Sequence, residues 1–239
     1  MKDKVFLVWL FAAIVWSSCG SSSPLDRLKD ELSSYPEYSI ILQDMREDGN
    51  FFTEYYHKYK IIRAEEIPRS DSLDYREEET RWYRVKDNEF KKYANLLGMV
   101  LVSKGKEGNV SENQRPPGYE YVGDTRYGQW RTDSSGNTFW EWYGKYAFFS
   151  SMFGMFSGPV YRRDWDTYRD YDSSGRTYYG RNNQYGTNGT ATKRSNSTFF
   201  DRQKERQAAR QSAFSQKVKE RTTRSNMSGY RSRSGGSGK

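Results

Sequence analysis

The chain has 239 residues, a formal net charge of +8 and a mean hydropathy of −1.05. Leu, Ile, Val and Phe supply 39 of its residues, too few in so charged a chain for every segment to build an aliphatic core, although 20 Tyr and 7 Trp can bury large areas instead. One Cys excludes an internal disulfide and a paired-cysteine zinc site, and one His excludes histidine-rich metal chemistry, so no metal and no cofactor is expected.

Residues 1–4 form a short polar start carrying Lys2 and Lys4, and residues 5–16 (VFLVWLFAAIVW) are twelve consecutive apolar residues. A bilayer-spanning helix needs about 17–25, so this run has the length of a secretion-signal core. Small residues follow at once: Ser17, Ser18, Cys19, Gly20 and Ser21 to Ser23. This stretch resembles the lipobox of bacterial lipoproteins, in which a signal peptide is removed ahead of a lipidated cysteine. The resemblance covers residues 1–23 and implies a signal peptide over 1–18, palmitate-type acylation of Cys19 and a tether over 19–23. It implies a cell-envelope location, and in a Gram-negative bacterium the periplasmic side of the outer membrane, with Gly20 rather than Asp after the cysteine. The alternatives are an ordinary cleaved signal peptide and an uncleaved anchor helix.

Residues 24–104 read as a small α+β domain. Pro24 at the first helical position after Ser23 predicts a helix with Leu25, Leu28 and Leu32 on one face, stopped by Pro36. Residues 37–45 alternate as a strand with Tyr38, Ile40 and Leu42 on one side, and a turn over 47–50 leads into a long second strand over 51–65. The polar run 68–79 reads as a loop and 80–86 as a third strand. Asp87 is expected to cap a helix that runs to Leu97 and ends at Gly98, followed by a strand over 99–103. A mixed or antiparallel sheet covered on one face by two helices would bury these residues.

Residues 105–117 read as a linker ending in Pro116 and Pro117. Residues 118–158 then hold 13 aromatic residues in 41, nearly twice the 17% of the whole chain, so the enrichment is local. Within them, 127–132 and 138–143 flank Asp133, Ser134, Ser135, Gly136 and Asn137, which predicts an aromatic hairpin. This extension has three readings: shared core with the first domain, a surface lying in the lipid interface, or an aromatic groove for a glycan or peptide.

Residues 159–239 carry 18 Lys or Arg against 7 Asp or Glu, and the excess begins at Arg181. Low-complexity composition over 172–197 and 225–239 predicts a disordered basic tail, interrupted by a helix over 199–221 rich in Gln, Lys, Arg and Ala. That helix has no continuous apolar stripe. It is either solvated or docked, as a basic helix, on an acidic surface.

Catalytic chemistry is sparse. His57 sits in an aromatic strand without triad partners, and the acids at Asp44, Glu47 and Asp48, at Glu65 and Glu66, and at Glu77 to Glu79 fall at predicted turns or loops, where solvated acids are ordinary. The sequence therefore points to a non-enzymatic, lipid-anchored envelope protein with a structural or interaction role. Its partners would be the membrane, through Cys19, and anionic lipid, glycan or an acidic protein, through the tail. Trp130, Trp140 and Trp142 and Arg202, Arg206 and Arg210 are the candidate binding residues. One alternative is a glycan-binding or glycan-processing protein that uses 118–158. Another is a nucleic-acid binder in which tail arginines meet phosphate and tyrosines stack on bases, a reading that export argues against.

Overall fold

The computed structural model describes residues 22–49, 52–70, 72–153 and 158–231, with backbone alone over the last seven. The expected signal peptide over 1–18 and the expected acylation site Cys19 lie outside the described residues, as do residues 232–239. The architecture is α+β, with helix α1 (Pro24–Glu31) leading into strands β1 (Tyr38–Asp48), β2 (Glu54–Glu66), β3 (Leu73–Glu79) and β4 (Tyr83–Val85). Helix α2 (Asp87–Tyr93) precedes β5 (Val100–Lys104) and β6 (Val110–Ser111), and the hairpin β7 (Gly128–Thr132) and β8 (Thr138–Trp142) follows. Four helices complete the chain: α3 (Phe149–Met152), α4 (Arg162–Ser173), α5 (Thr190–Ser195) and α6 (Ser197–Arg231).

Six strands form one antiparallel sheet in the order β3-β2-β1-β5-β6, with β4 also paired to β2. In the central strand β1, Tyr38, Ile40 and Leu42 point to one face, where Leu25, Leu28 and Leu32 of the α1 segment and Tyr93, Leu96 and Leu97 after α2 cover them. A register shift between Leu42 and Asp44 adds one residue to β1 and turns Met45, rather than Asp44, into this core. Ser23 caps α1, its Oγ accepting from the Asp26 N–H at 3.1 Å.

The sheet is covered on both faces, not one. Ile41, Ile62, Ala64, Tyr75 and Val100 pack on the opposite side against Tyr119, Tyr121, Tyr127, Trp140, Phe149 and Phe153. The aromatic extension is thus the second core layer. Tyr168 of α4, together with Tyr178, completes this layer, while Tyr185 and Phe199 extend the first core. Residues 159–200, which composition assigns to the tail, are therefore built into the body. Trp165, Tyr168 and Tyr171 recur at helical spacing along α4, whereas Tyr178 and Tyr185 are buried from irregular segments with no periodic pattern around them.

Three further expectations need correction. The run 68–79 contains β3, an edge strand in which Tyr75 alone is fully buried and the exposed charges are those that edges usually carry. The 105–117 linker contains β6, and Arg115 bridges to Val100, so this segment extends the sheet. Helix α2 stops at Tyr93 rather than Leu97: the Ala94 carbonyl accepts from the Thr187 hydroxyl at 2.6 Å and the Leu97 N–H donates to that hydroxyl oxygen at 3.2 Å, before the N–H of Gly98, at φ +74°, bonds the Leu42 carbonyl.

Candidate functional site

Arg202, Arg206 and Arg210 lie four residues apart and so share one face of α6. Phe199, 4% exposed, fastens the start of that helix into the first core. The arginines then descend along the end of β1. Arg202 reaches Asp44 at 2.5 Å, while Arg206 and Arg210 both reach Glu47, at 2.7 and 3.5 Å. Trp82 lies beneath, with the Arg46 guanidinium 4.6 Å and the Arg202 guanidinium 5.9 Å from its ring centre. The basic helix does dock on an acidic surface, and that surface belongs to the same chain. A cavity of about 400 Å³ remains between β1 and α6, lined by Glu47, Phe90, Arg206 and Arg210.

Past Arg206 the character changes. Every residue from 207 to 224 is exposed, on all sides of the helix. This half carries Arg210, Lys217, Lys219, Arg221 and Arg224 against Glu220 alone, and it holds Phe214 at 70% and Val218 at 45% exposure. Helix α6 has 35 residues, which at 1.5 Å per residue is about 52 Å, and among its described side chains Arg210 is the last that pairs with the body.

The three candidate tryptophans are brought together, but by packing. Trp140 is 3% exposed, and Trp130 faces it at 5.1 Å across the hairpin. Trp142 meets Trp140 at 5.9 Å and Phe149 at 5.3 Å, both edge to face. Arg162 covers the Trp130 ring, 4.9 Å from its centre, and Trp165 of α4 stands at 5.5 Å. The ring faces a sugar would need are largely occupied by neighbouring side chains.

Sequence reasoning missed a buried carboxylate pair beside this layer. Glu37, 1% exposed, accepts hydrogen bonds from the Tyr75 and Tyr127 hydroxyls at 2.9 Å and from Arg126 at 3.1 Å. Glu120 accepts from Ser39 at 2.6 Å, and its second oxygen lies 3.8 Å from the buried Arg115. Burial pushes the Glu120 carboxyl above the usual range, with Arg115 opposing the shift. Both glutamates border a cavity of about 320 Å³ rimmed by Lys104, Lys106 and Asp124. Each carboxylate is nonetheless matched to its own arginine, the arrangement of structural ion pairs. The available signal was Glu37 and Ser39 alternating with Tyr38 and Ile40, which becomes informative only once both sheet faces are known to be covered.

The acid groups that the sequence singles out do not converge. Glu77, Glu78 and Glu79 pair with Lys60, Arg63 and Lys58 along the sheet. His57 is fully buried, its Nδ1 3.1 Å from the Tyr59 hydroxyl and its ring stacked 5.5 Å from Phe90. Burial lowers its pKa to about 4. Among the described residues, no three His, Cys, Asp or Glu side chains gather to hold a metal ion, and no helix is long and apolar enough to cross a membrane. Comparison with known proteins returns no matching protein family, no matching characterised protein and no matching solved structure.

Proposed function

We propose that this protein is a non-enzymatic, lipid-anchored component of the bacterial cell envelope that contacts anionic material through α6. The observation that carries the reading is the outer half of α6, a cationic helix whose residues 211–224 are exposed on every side beyond the last ion pair with the body, Arg210–Glu47. A polar helix with no packed face has little to hold it in isolation and gains most from an external partner. The lipobox-like start supports the anchor, since several acyl chains at about 0.8 kcal/mol per buried methylene hold a chain at the membrane for long times. The non-enzymatic part is supported by the pairing of Glu37 with Arg126 and of Glu120 with Arg115, and by the enclosure of His57.

Metabolic labelling with a palmitate analogue tests the anchor. The full-length chain should take up label and fractionate with membranes, and Cys19→Ser should abolish both. Equal labelling of the two chains, or a cytosolic protein that retains Met1, overturns the reading.

A further inference from the structure

Ser22 and Ser23, just ahead of α1, and the base of α6 lie at the same end of the body. In the sheet register, Glu47 and Asp48 at the end of β1 lie opposite Tyr55 and Glu54 of β2, and Tyr55 pairs in turn with Val85 of β4. Helix α2 begins two residues later and separates two openings. On one side Ser22, Ser23, Glu54 and Glu89 line an open groove of about 1020 Å³. On the other, Phe90 lines the cavity under Arg206 and Arg210. Helix α2 is only seven residues long, about 10 Å, and Cys19 precedes Ser23 by four positions, at most about 14 Å of extended chain. An acylated Cys19 thus places the bilayer surface next to the α6 base.

Helix α6 suits such a surface. Phe214 and Val218 are one turn apart, and by helical spacing Arg210, Lys217 and Arg221 lie around the same side. Exposed apolar residues ringed by long basic side chains match the boundary between phosphate headgroups and acyl chains, where the ring inserts and the cations stay at headgroup level. We infer that the outer half of α6 lies on the anionic phospholipid of the membrane that holds the N-terminal lipid, so that acyl chains and helix form a two-point attachment at one end of the molecule. This rests on the envelope reading above and adds the partner of α6. The acyl chains hold the body at the bilayer, and a basic helix beside them adds electrostatic attraction to the anionic headgroups of the same surface.

The test uses the chain from residue 20 onward, which keeps every described residue and lacks the acylated cysteine, in sedimentation with vesicles. Vesicles of phosphatidylcholine containing phosphatidylglycerol should retain it and pure phosphatidylcholine should not, with retention falling about tenfold or more between about 50 and 500 mM salt. Phe214→Ser should weaken retention about fivefold and leave the salt dependence in place, because it removes insertion but no charge. The triple variant Lys217→Gln, Arg221→Gln, Arg224→Gln should flatten the salt dependence. Equal retention on both vesicle types, wild-type retention of Phe214→Ser, or tighter binding to single-stranded RNA than to the anionic vesicles overturns the inference. Because this chain carries no acyl group, such a failure leaves the Cys19 labelling result untouched.

Discussion

Among single residues, His57 has the clearest consequence for behaviour in solution. Its ring is sealed between Phe90 and Tyr59, and its Nε2 meets no hydrogen-bond partner among the described residues. Burial disfavours the charged ring, so the folded value of about 4 lies below the 6.5 of a free imidazole. Between these values the unfolded chain binds the proton and the folded chain does not. Folding stability is therefore intact above pH 6.5 and falls as the pH drops towards 4, by about 3 kcal/mol from this group. Urea unfolding of wild type and His57→Leu at pH 7 and at pH 4.5 checks this: the variant should lose less stability on acidification, and a pH-independent difference would rule it out. Glu37 shows the opposite strategy. The Tyr75 and Tyr127 hydroxyls and Arg126 all donate to it, because leaving a buried carboxyl group without partners is costly.

Among elements, α6 is held chiefly by its anchor, with its ion pairs secondary. Arg202, Arg206 and Arg210 are 40%, 34% and 70% exposed, and pairs of that kind contribute about 0.2–1 kcal/mol each. Phe199 is buried, and truncating a buried Phe costs about 3–5 kcal/mol. Phe199→Ala should therefore release the helix base, read as faster amide exchange over residues 197–206, whereas Asp44→Asn with Glu47→Gln should speed it only modestly. A larger effect from the acid variants would show that charge dominates. Elements with local signals were legible in the chain. Ser23-Pro24 marked the start of α1, and Asp133 to Asn137 marked the turn between β7 and β8, where the Asp133 carboxylate accepts the Ser135 and Asn137 N–H groups at 2.9 Å. Strand β3 was hidden because an edge strand is polar for the same reason a loop is: both face water. The helix over 199–221 was recognised by propensity, but its extent and its partner, β1, depend on residues 150 positions away.

For the whole molecule, the second core layer decides where the folding unit ends. The layer over Ile41, Ile62 and Val100 draws on Tyr119, Phe149, Tyr168 and Tyr178, so it spans segments that composition separates into extension and tail. Removing residues 159–239 strips Val160, Tyr168 and Tyr178 from this layer and Tyr185 and Phe199 from the other. At about 1.5–3 kcal/mol for each large apolar side chain, that loss rivals the 5–15 kcal/mol that stabilises a typical domain. A chain ending at residue 158 should show no cooperative thermal transition by circular dichroism, and a chain ending at residue 206 should keep one. A sharp transition in the shorter chain would contradict the two-layer account. The Glu37–Glu120 pair was illegible for the same non-local reason: its members meet across 83 residues, through a layer whose existence no local pattern announces. Strand β1 also sets a distance between the molecule's two polar regions. At about 3.3 Å per residue it puts Glu37 about 23 Å from Asp44 and about 33 Å from Glu47, the acids that receive α6. A small solute entering beside Lys104 and Asp124 would meet a vestibule remote from the pole where α6 docks, and could come and go without disturbing the ion pairs there.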